Sequence, residues 1–155
     1  MSYNIYRAAR KAAAEKEPRL ASCESAQELV NIERTRLLAI EKDQKLPNPE
    51  DVLRMAEVYG APELRNHYCS TQCPLGEGVP RLISDDLDRI SVSLMSSLHA
   101  LERVEGSIYD ILEDGRIDAS ELPELERIIE TLDKISYGAS SLKLWAQKNL
   151  GHEHP

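Results

Sequence analysis

Four consecutive polar residues, Glu33, Arg34, Thr35 and Arg36, carry side chains that can hydrogen-bond to the edges of nucleic-acid bases. Arginine donates two parallel hydrogen bonds to guanine, threonine bonds to a base edge, and glutamate accepts from cytosine. Around them, apolar residues recur where three short helices would bury them in one shared core. The expected core positions are Leu29, Ile32, Leu37, Ile40, Leu53 and Ala56. The four polar residues then lie at the exposed start of the middle helix, predicted over about 33–42.

The stretch from Asn4 to Met55 resembles the lambda-repressor-like, Cro/cI-type (XRE family) helix-turn-helix domain. The resemblance rests on an ordered set of residues and covers about the first two-fifths of the chain. The set places Arg10 at the family's helix-1 arginine, Asn31-Ile32 at its turn, Leu37 and Ile40 at its buried recognition-helix positions, and Glu41 at the glutamate that pairs with the arginine. The loop over 43–49 and the residues 52–56 match the family's entry into its fourth helix.

This resemblance implies a five-helix, all-α DNA-binding domain in a transcriptional regulator, for which repression is the commoner outcome. The helix that starts at Glu33 would enter the major groove. Arg34 and Arg36 would contact guanine, Thr35 a base edge or a phosphate, and Glu33 would accept from cytosine or cap the helix. The expected phosphate contacts are Lys42, Lys45, Asn48 and Arg19. Arg10 and Glu41 would form a largely buried ion pair that joins the first helix to the recognition helix.

The chain departs from the family pattern at several positions. Extra residues over 15–20 lengthen the loop before the second helix, Cys23 replaces a glutamine that often contacts phosphate, and Gln27 replaces a small residue. Asn31 replaces the turn glycine, which is a mild change because asparagine tolerates the left-handed conformation. These departures leave a second hypothesis open: a protein-interaction module of the same shape, such as an antirepressor or an antitoxin-like partner, with little DNA affinity.

Composition and charge set further bounds. The 155-residue chain is 41% hydrophobic but only 5% aromatic, and it lacks Phe, which favours an all-α fold. Residues 1–68 hold 11 basic and 11 acidic residues, whereas residues 69–155 hold 8 and 16, so the net charge of −8 belongs to the second part. A neutral DNA-binding half predicts weak, salt-dependent binding by a single copy. Neither a signal peptide nor a membrane-spanning stretch is evident, so we expect a cytoplasmic protein without membrane partners.

The second part predicts a long antiparallel two-helix hairpin that resembles a coiled coil. Apolar residues recur every seven positions over 80–113 and again over 119–150, each pattern about four heptads long. Two such helices cannot bury these stripes alone, so a homodimeric four-helix bundle is expected, with packing on the chain's own first domain as the alternative. The dimerisation residues expected are Leu87, Ile90, Leu94, Leu101, Val104, Ile108, Leu125, Ile128, Leu132, Ile135, Leu142 and Trp145.

The turn between these helices is expected at 114–117, where Gly115 suits a helix C-terminus and Asp118 with Glu121 suits a capping box. The same residues partly match a calcium-binding EF-hand loop that starts at Asp110. Leu112 fills the third position of that loop, where an oxygen ligand is required. A plain helix-to-helix turn is therefore favoured.

Cysteine and histidine leave a metal or redox hypothesis open. Cys23, His67, Cys69 and Cys73 could form a Cys₃His zinc site, or Cys69 and Cys73 a redox-switched disulfide. The spacing lacks the paired CxxC knuckles of typical zinc sites, which favours semi-buried thiols with no metal and no cofactor. No catalytic motif is evident, so we do not expect an enzyme.

The sequence thus predicts a helix-turn-helix domain over 1–68, a linker with the two nearby cysteines over 69–80, a dimerising hairpin over 81–150 and a tail over 151–155. The function expected is a sequence-specific DNA-binding regulator. It would act as a homodimer on an inverted repeat of double-stranded DNA whose half-sites lie about 34 Å apart or a multiple of that distance.

Overall fold

The computed structural model describes residues 4–112, without the side chain of the last, and residues 117–151. These described residues are all-α, with seven α-helices, one 3₁₀ turn (Pro18–Leu20) and no β-strand among them. The helices are α1 (Ile5–Ala13), α2 (Cys23–Val30), α3 (Arg34–Glu41), α4 (Pro49–Val58), α5 (Glu63–Thr71), α6 (Leu87–Leu112) and α7 (Leu122–Leu150). Two compact units divide between Arg81 and Leu82.

One hydrophobic core holds the first unit together. Its buried members come from every helix of that unit and include Tyr6, Ala26, Val30, Ile32, Leu37, Ile40, Val52, Met55, Ala56 and Leu64. The expectation that Leu53 belongs to this core is wrong, since half of that residue is exposed. Helix α4 turns Val52, Met55 and Ala56 inward at helical spacing, which leaves Leu53 on its outer side.

A buried ion pair joins α1 to α3, at the two residues for which the sequence predicts it. Arg10 Nε and Nη2 donate to the two carboxylate oxygens of Glu41 at 2.6 and 2.8 Å, and both side chains are almost completely buried. Arg10 Nη1 also donates to the carbonyl of Leu20 at 2.7 Å, and Leu20 itself fills the core. The additional residues before α2 are therefore an ordered 3₁₀ turn fixed by the same arginine.

Asn4 joins the start of α1 to the end of α3. Its side-chain oxygen accepts from the amide of Arg7 and caps α1, while its Nδ2 donates to the carbonyl of Ile40 at 2.8 Å and to Asp43 Oδ1 at 2.7 Å. Asp43 adopts a left-handed conformation with φ of 58°, which turns the chain away at the end of α3. Arg10 and Asn4 thus bind adjacent residues, Glu41 and Ile40, at the end of α3.

The segment expected to be a linker over 69–80 is partly helical and partly folded onto α5. Helix α5 continues to Thr71, so Cys69 lies within it, and Asn66 Nδ2 donates to the carbonyl of Pro80 at 3.0 Å. A Cβ on Gly76 would overlap the carbonyl oxygen of Cys69, so only glycine fits where this segment crosses α5. Because the turn at Gly76 packs closely on α5, residues 72–80 belong to the first unit.

The second unit contains α6 and α7. Val104 and Ile111 of α6 form a buried cluster with Ile128 of α7, while near the other end Gly138 lies directly against Leu94. Residues later in α6 thus contact residues earlier in α7, so the two helices are antiparallel.

Capping residues set the starts of the two long helices. Helix α6 begins at Leu87 rather than near Pro80, because the side chain of Asp86 accepts from the amide of Arg89 at 2.9 Å and caps it there. Before α7, Asp118 accepts from the amide of Ser120 at 2.7 Å and donates its own amide to the Glu121 carboxylate at 2.9 Å. The Glu121 half of the expected capping box is therefore present, but the Asp118 side chain bonds to Ser120 instead, and α7 begins at Leu122 rather than near 119.

Some expectations fall on residues that the structure does not describe. The turn at Gly115, positions 113–116 of the EF-hand-like loop and all of the tail but Gly151 lie outside the described residues. Among the helices within 4–112 and 117–151, none is both long and apolar enough to cross a membrane.

The Arg10–Glu41 pair provides the first test of the fold. Arg10→Met leaves the Glu41 carboxylate buried without its partner, so we expect a loss of about 3 to 5 kcal/mol in the free energy of unfolding. The double variant Arg10→Met/Glu41→Leu removes both charges and should recover most of this loss. Urea unfolding followed by circular dichroism measures both values.

Arg19→Met is the matched control in the same unit. Arg19 approaches Glu28 only to 3.9 Å and both side chains are exposed, so its replacement should change stability little. Equal losses for Arg10→Met and Arg19→Met would contradict the structural role given to Arg10.

Candidate nucleic-acid interface

The turn between α2 and α3 brings the polar residues of α3 to the surface. Asn31 ends α2 in the left-handed conformation with φ of 51°, as its residue type allows. The amide of the next residue, Ile32, donates to the carbonyl of Gln27 at 3.2 Å, and the Ile32 side chain is buried. The chain therefore enters α3 immediately after an anchored residue, and the first turn of α3 faces outward.

Glu33 caps α3. Its carboxylate accepts from the amides of Thr35 at 3.1 Å and Arg36 at 3.2 Å. Hydrogen bonds from the Thr35 side chain and from these amides hold the pKa of Glu33 below its usual range, so it remains ionised at neutral pH. The Gln27 side chain accepts from the amide of Arg34 at 3.2 Å. The amides at the start of α3 are thus occupied within the chain, and a negative charge stands at that end.

Arg34 is the exposed cation at the start of α3. Its guanidinium makes neither a hydrogen bond nor an ion pair with any residue that the structure describes. Thr35 is also exposed, although its hydroxyl bonds to Glu33. Of the four residues expected to contact bases, Arg34 therefore has the side chain most available to a ligand.

Arg36 is engaged inside the first unit. Its Nε donates to Asp51 Oδ2 at 2.9 Å, and its Nη2 contacts the same oxygen. Asp51 Oδ2 also accepts from the amide of Asn48 at 3.0 Å, as part of the capping box that starts α4. Arg36 and Asp51 thus join α3 to α4 through largely buried side chains. A base contact from Arg36 would require this pair to break.

The residues expected to contact phosphate are spread around α3. Lys42 and Lys45 are exposed just after α3, and Asn48 is exposed at the start of α4. Arg19 lies in the 3₁₀ turn before α2, beside Glu28. Lys42 and Lys45 are the members of this set that have no ion-pair partner among the described residues.

Three residues at this surface have roles that the sequence does not predict. Gln27 holds the amide of Arg34, Asp51 holds Arg36, and Arg54 donates to the carbonyl of Asn31 in the turn at 2.9 Å. The signal for Asp51 was present, because an asparagine followed three residues later by an acid is a capping-box pattern. Gln27 and Arg54 act across helix pairs, which no local pattern indicates.

The cysteine and histidine residues do not form a cluster. Within the described residues, no group of three or more His, Cys, Asp or Glu side chains could hold a metal ion. Cys23, Cys69 and Cys73 are free thiols. Cys23 lies in α2 beside Glu41, and burial followed by that carboxylate raises the pKa of its thiol. A raised pKa disfavours the reactive thiolate.

His67 lies against the core of the first unit. Its ring meets Tyr6 edge-on at 5.9 Å, and its buried Nδ1 has no hydrogen-bond partner within the described part of the chain. Burial, followed by the charge of Arg81, lowers the pKa of His67. The side chain is therefore a neutral packing residue.

Comparisons of the chain with protein-family models, with curated proteins and with solved structures returned no match.

His67 predicts a pH dependence of stability. In the unfolded chain histidine gains a proton as the pH falls through about 6.5, whereas folded His67 remains neutral to lower pH. The free energy of unfolding should therefore decrease as the pH falls below about 6.5. We expect His67→Phe, which keeps the ring packing, to reduce this decrease when urea unfolding is compared at neutral and mildly acidic pH.

Substitution of exposed His99 by Phe serves as the control and should leave the decrease in place. An unchanged pH dependence in His67→Phe would show that the folded chain does not hold His67 neutral.

Proposed function

We propose that this chain is a sequence-specific, non-enzymatic DNA-binding regulator of the lambda-repressor-like helix-turn-helix class. In this proposal α1 to α5 form the DNA-binding domain, α3 enters the major groove of double-stranded DNA, and α6 with α7 forms a dimerising hairpin. The chain would act as a homodimer, with repression as the outcome that the resemblance favours.

One observation carries the proposal: the start of α3 is exposed and fixed at the same time. Arg34 extends from it without a partner among the residues that the structure describes, while Glu41 on the inner side of α3 is bound by buried Arg10. Binding by a preorganised helix avoids the entropic cost of ordering it on contact. A free guanidinium on a fixed helix suits a bidentate contact with guanine.

The two arginines of α3 receive different roles. Arg34 would contact guanine directly. Arg36 would keep α3 at its angle to α4 through Asp51, since removing its guanidinium from that carboxylate would leave a largely buried charge unpaired. Base preference would then depend on Arg34, with Thr35 beside it, and Arg36 would be a positioning residue.

Electrostatics limit the affinity of a single copy. Lys42 and Lys45, at the end of α3, can neutralise DNA phosphates, but the Glu33 carboxylate at the start of α3 repels phosphates. The logarithm of the binding constant falls by about 0.9 per phosphate neutralised for each tenfold rise in salt. With so few free cations, two copies on an inverted repeat are needed for tight binding.

A second candidate function is favoured by that same carboxylate. A protein-interaction module with little DNA affinity would also suit three observations. Glu33 is ionised, Arg36 is bound to Asp51, and the first 68 residues have no net charge. A basic protein partner would then meet the exposed start of α3.

Selection from a pool of random duplexes, at low and at moderate salt, separates the two candidates. We expect enrichment of an inverted repeat with half-sites about 34 Å apart, or a multiple of that, and binding that weakens as salt rises. A pool that stays unenriched even at low salt would contradict the DNA-binding proposal and favour the interaction module.

Substitutions in α3 test the assignment of the arginines. Arg34→Ala should reduce discrimination at one base pair of each half-site by about 1 to 3 kcal/mol, whereas Lys42→Ala should weaken binding to all sequences alike. Arg36→Ala should lower the free energy of unfolding and keep the base preference. Fluorescence anisotropy with matched and mismatched duplexes measures these effects.

Arg65→Ala is the matched control, because Arg65 is an exposed arginine of the same unit on α5. Loss of base discrimination in Arg36→Ala, but not in Arg34→Ala, would reverse the assignment.

A further inference from the structure

The two long helices bury only part of their apolar surface in each other. The inward stripe of α6 contains Ile90, Val104 and Ile111, spaced by seven or multiples of seven, and it meets α7 at Ile128. A second apolar stripe beside it remains open on each helix. Its exposed members, between 36% and 49% accessible, are Leu87, Leu98, Leu122, Ile129 and Leu132.

Both open stripes lie on the same side of the helix pair. On α6, Leu87 and Leu94 stand three residues before and four after inward Ile90, and on α7, Leu125 and Leu132 stand three before and four after inward Ile128. The rotation away from the buried stripe is therefore the same on both helices. In helices that run in opposite directions, equal rotations lead to one side of the pair. We call this surface the open face.

The other side of the pair is polar. Ser96 and Arg103 of α6 are exposed there, as are Arg127 and Lys134 of α7, which bond to acidic neighbours on their own helix. On the open face, by contrast, Leu101, Ile108 and Tyr109 line a groove of about 330 Å³ with two glutamates at its edge. Among the described residues of the pair, the exposed apolar side chains that border this groove therefore lie on the open face.

The size of the open face matches half of a stable protein–protein interface. Helices of 26 and 29 residues are about 40 Å long at about 1.5 Å per residue, and two of them side by side are about 20 Å wide. The resulting area of about 800 Å² equals the share of one partner in a standard interface. A face made of two similar antiparallel stripes can also pack on its own copy about a two-fold axis.

We propose that the open face is the surface through which two copies of this chain associate. The α6–α7 pair of one copy packs on that of the other as a four-helix bundle, with its apolar stripes at the centre. The inference rests on the homodimer of the proposed function and names the surface that forms it, whereas the DNA contacts proposed for α3 concern the first unit.

Charge gives this association a distinctive salt dependence. Residues 82–149 hold 7 basic and 14 acidic residues, so the two copies repel each other at low salt. Screening reduces that repulsion and strengthens apolar contact. The dimer should therefore become tighter as salt rises, whereas DNA binding would become weaker.

Light scattering of the full chain without DNA, over a range of concentration and salt, tests the inference. We expect twice the 17.4 kDa chain mass, with dissociation shifting to higher protein concentration at low salt. Leu98→Asp and Leu132→Asp should each weaken association at least roughly tenfold, since each places a charge in the apolar centre. Leu132→Gln gives the same test without a charge if Asp disturbs the helices, which circular dichroism reports.

Val92→Asp is the matched control. Val92 is 70% exposed on α6, but its position lies away from the open face, so the dimer should persist. A chain that is monomeric at high protein concentration and high salt would overturn the inference. A dimer that persists in both Leu98→Asp and Leu132→Asp would also overturn the inference. Enrichment of a single half-site by such a chain would leave the DNA-contacting role of α3 in place, so the failures of the two proposals are distinguishable.

Discussion

The orientation of α3 depends on one buried interaction, the pair formed by Arg10 and Glu41. An arginine fork on a carboxylate fixes angle as well as distance, because two parallel hydrogen bonds must be satisfied together. The third bond, to the carbonyl of Leu20, uses the same guanidinium to hold the turn before α2. Helices α1 and α3 and the 3₁₀ turn thus share one buried polar centre, the guanidinium of Arg10.

With α3 fixed in this way, its polar side chains differ in whether another group of the chain already binds them. Glu33 is held by the amides that it caps, and Arg36 is held by Asp51, whose carboxylate also starts α4. Arg34 alone extends from the first turn with a free guanidinium among the described residues. The same capping chemistry that stabilises two short helices therefore determines which side chain can meet a ligand.

Local patterns in the sequence predicted much of this fold. The all-α class, the start of α3, the left-handed Asn31 and the pairing of α6 with α7 follow from periodicity and residue type. The exposure of Leu53 was not predicted, since periodicity alone does not decide which of two adjacent positions of α4 faces the core. The Arg36–Asp51 pair was missed because it forms between two helices, and the fold of residues 72–80 because it depends on tertiary contact at Gly76.

The central claim is that the start of α3 is the surface that meets DNA. Amide chemical shifts of the full chain, measured by NMR as a selected duplex is added, test it residue by residue. We expect the changes to concentrate on residues 33–36 and 42–48. An absence of change there, or changes confined to α6 and α7, would contradict it.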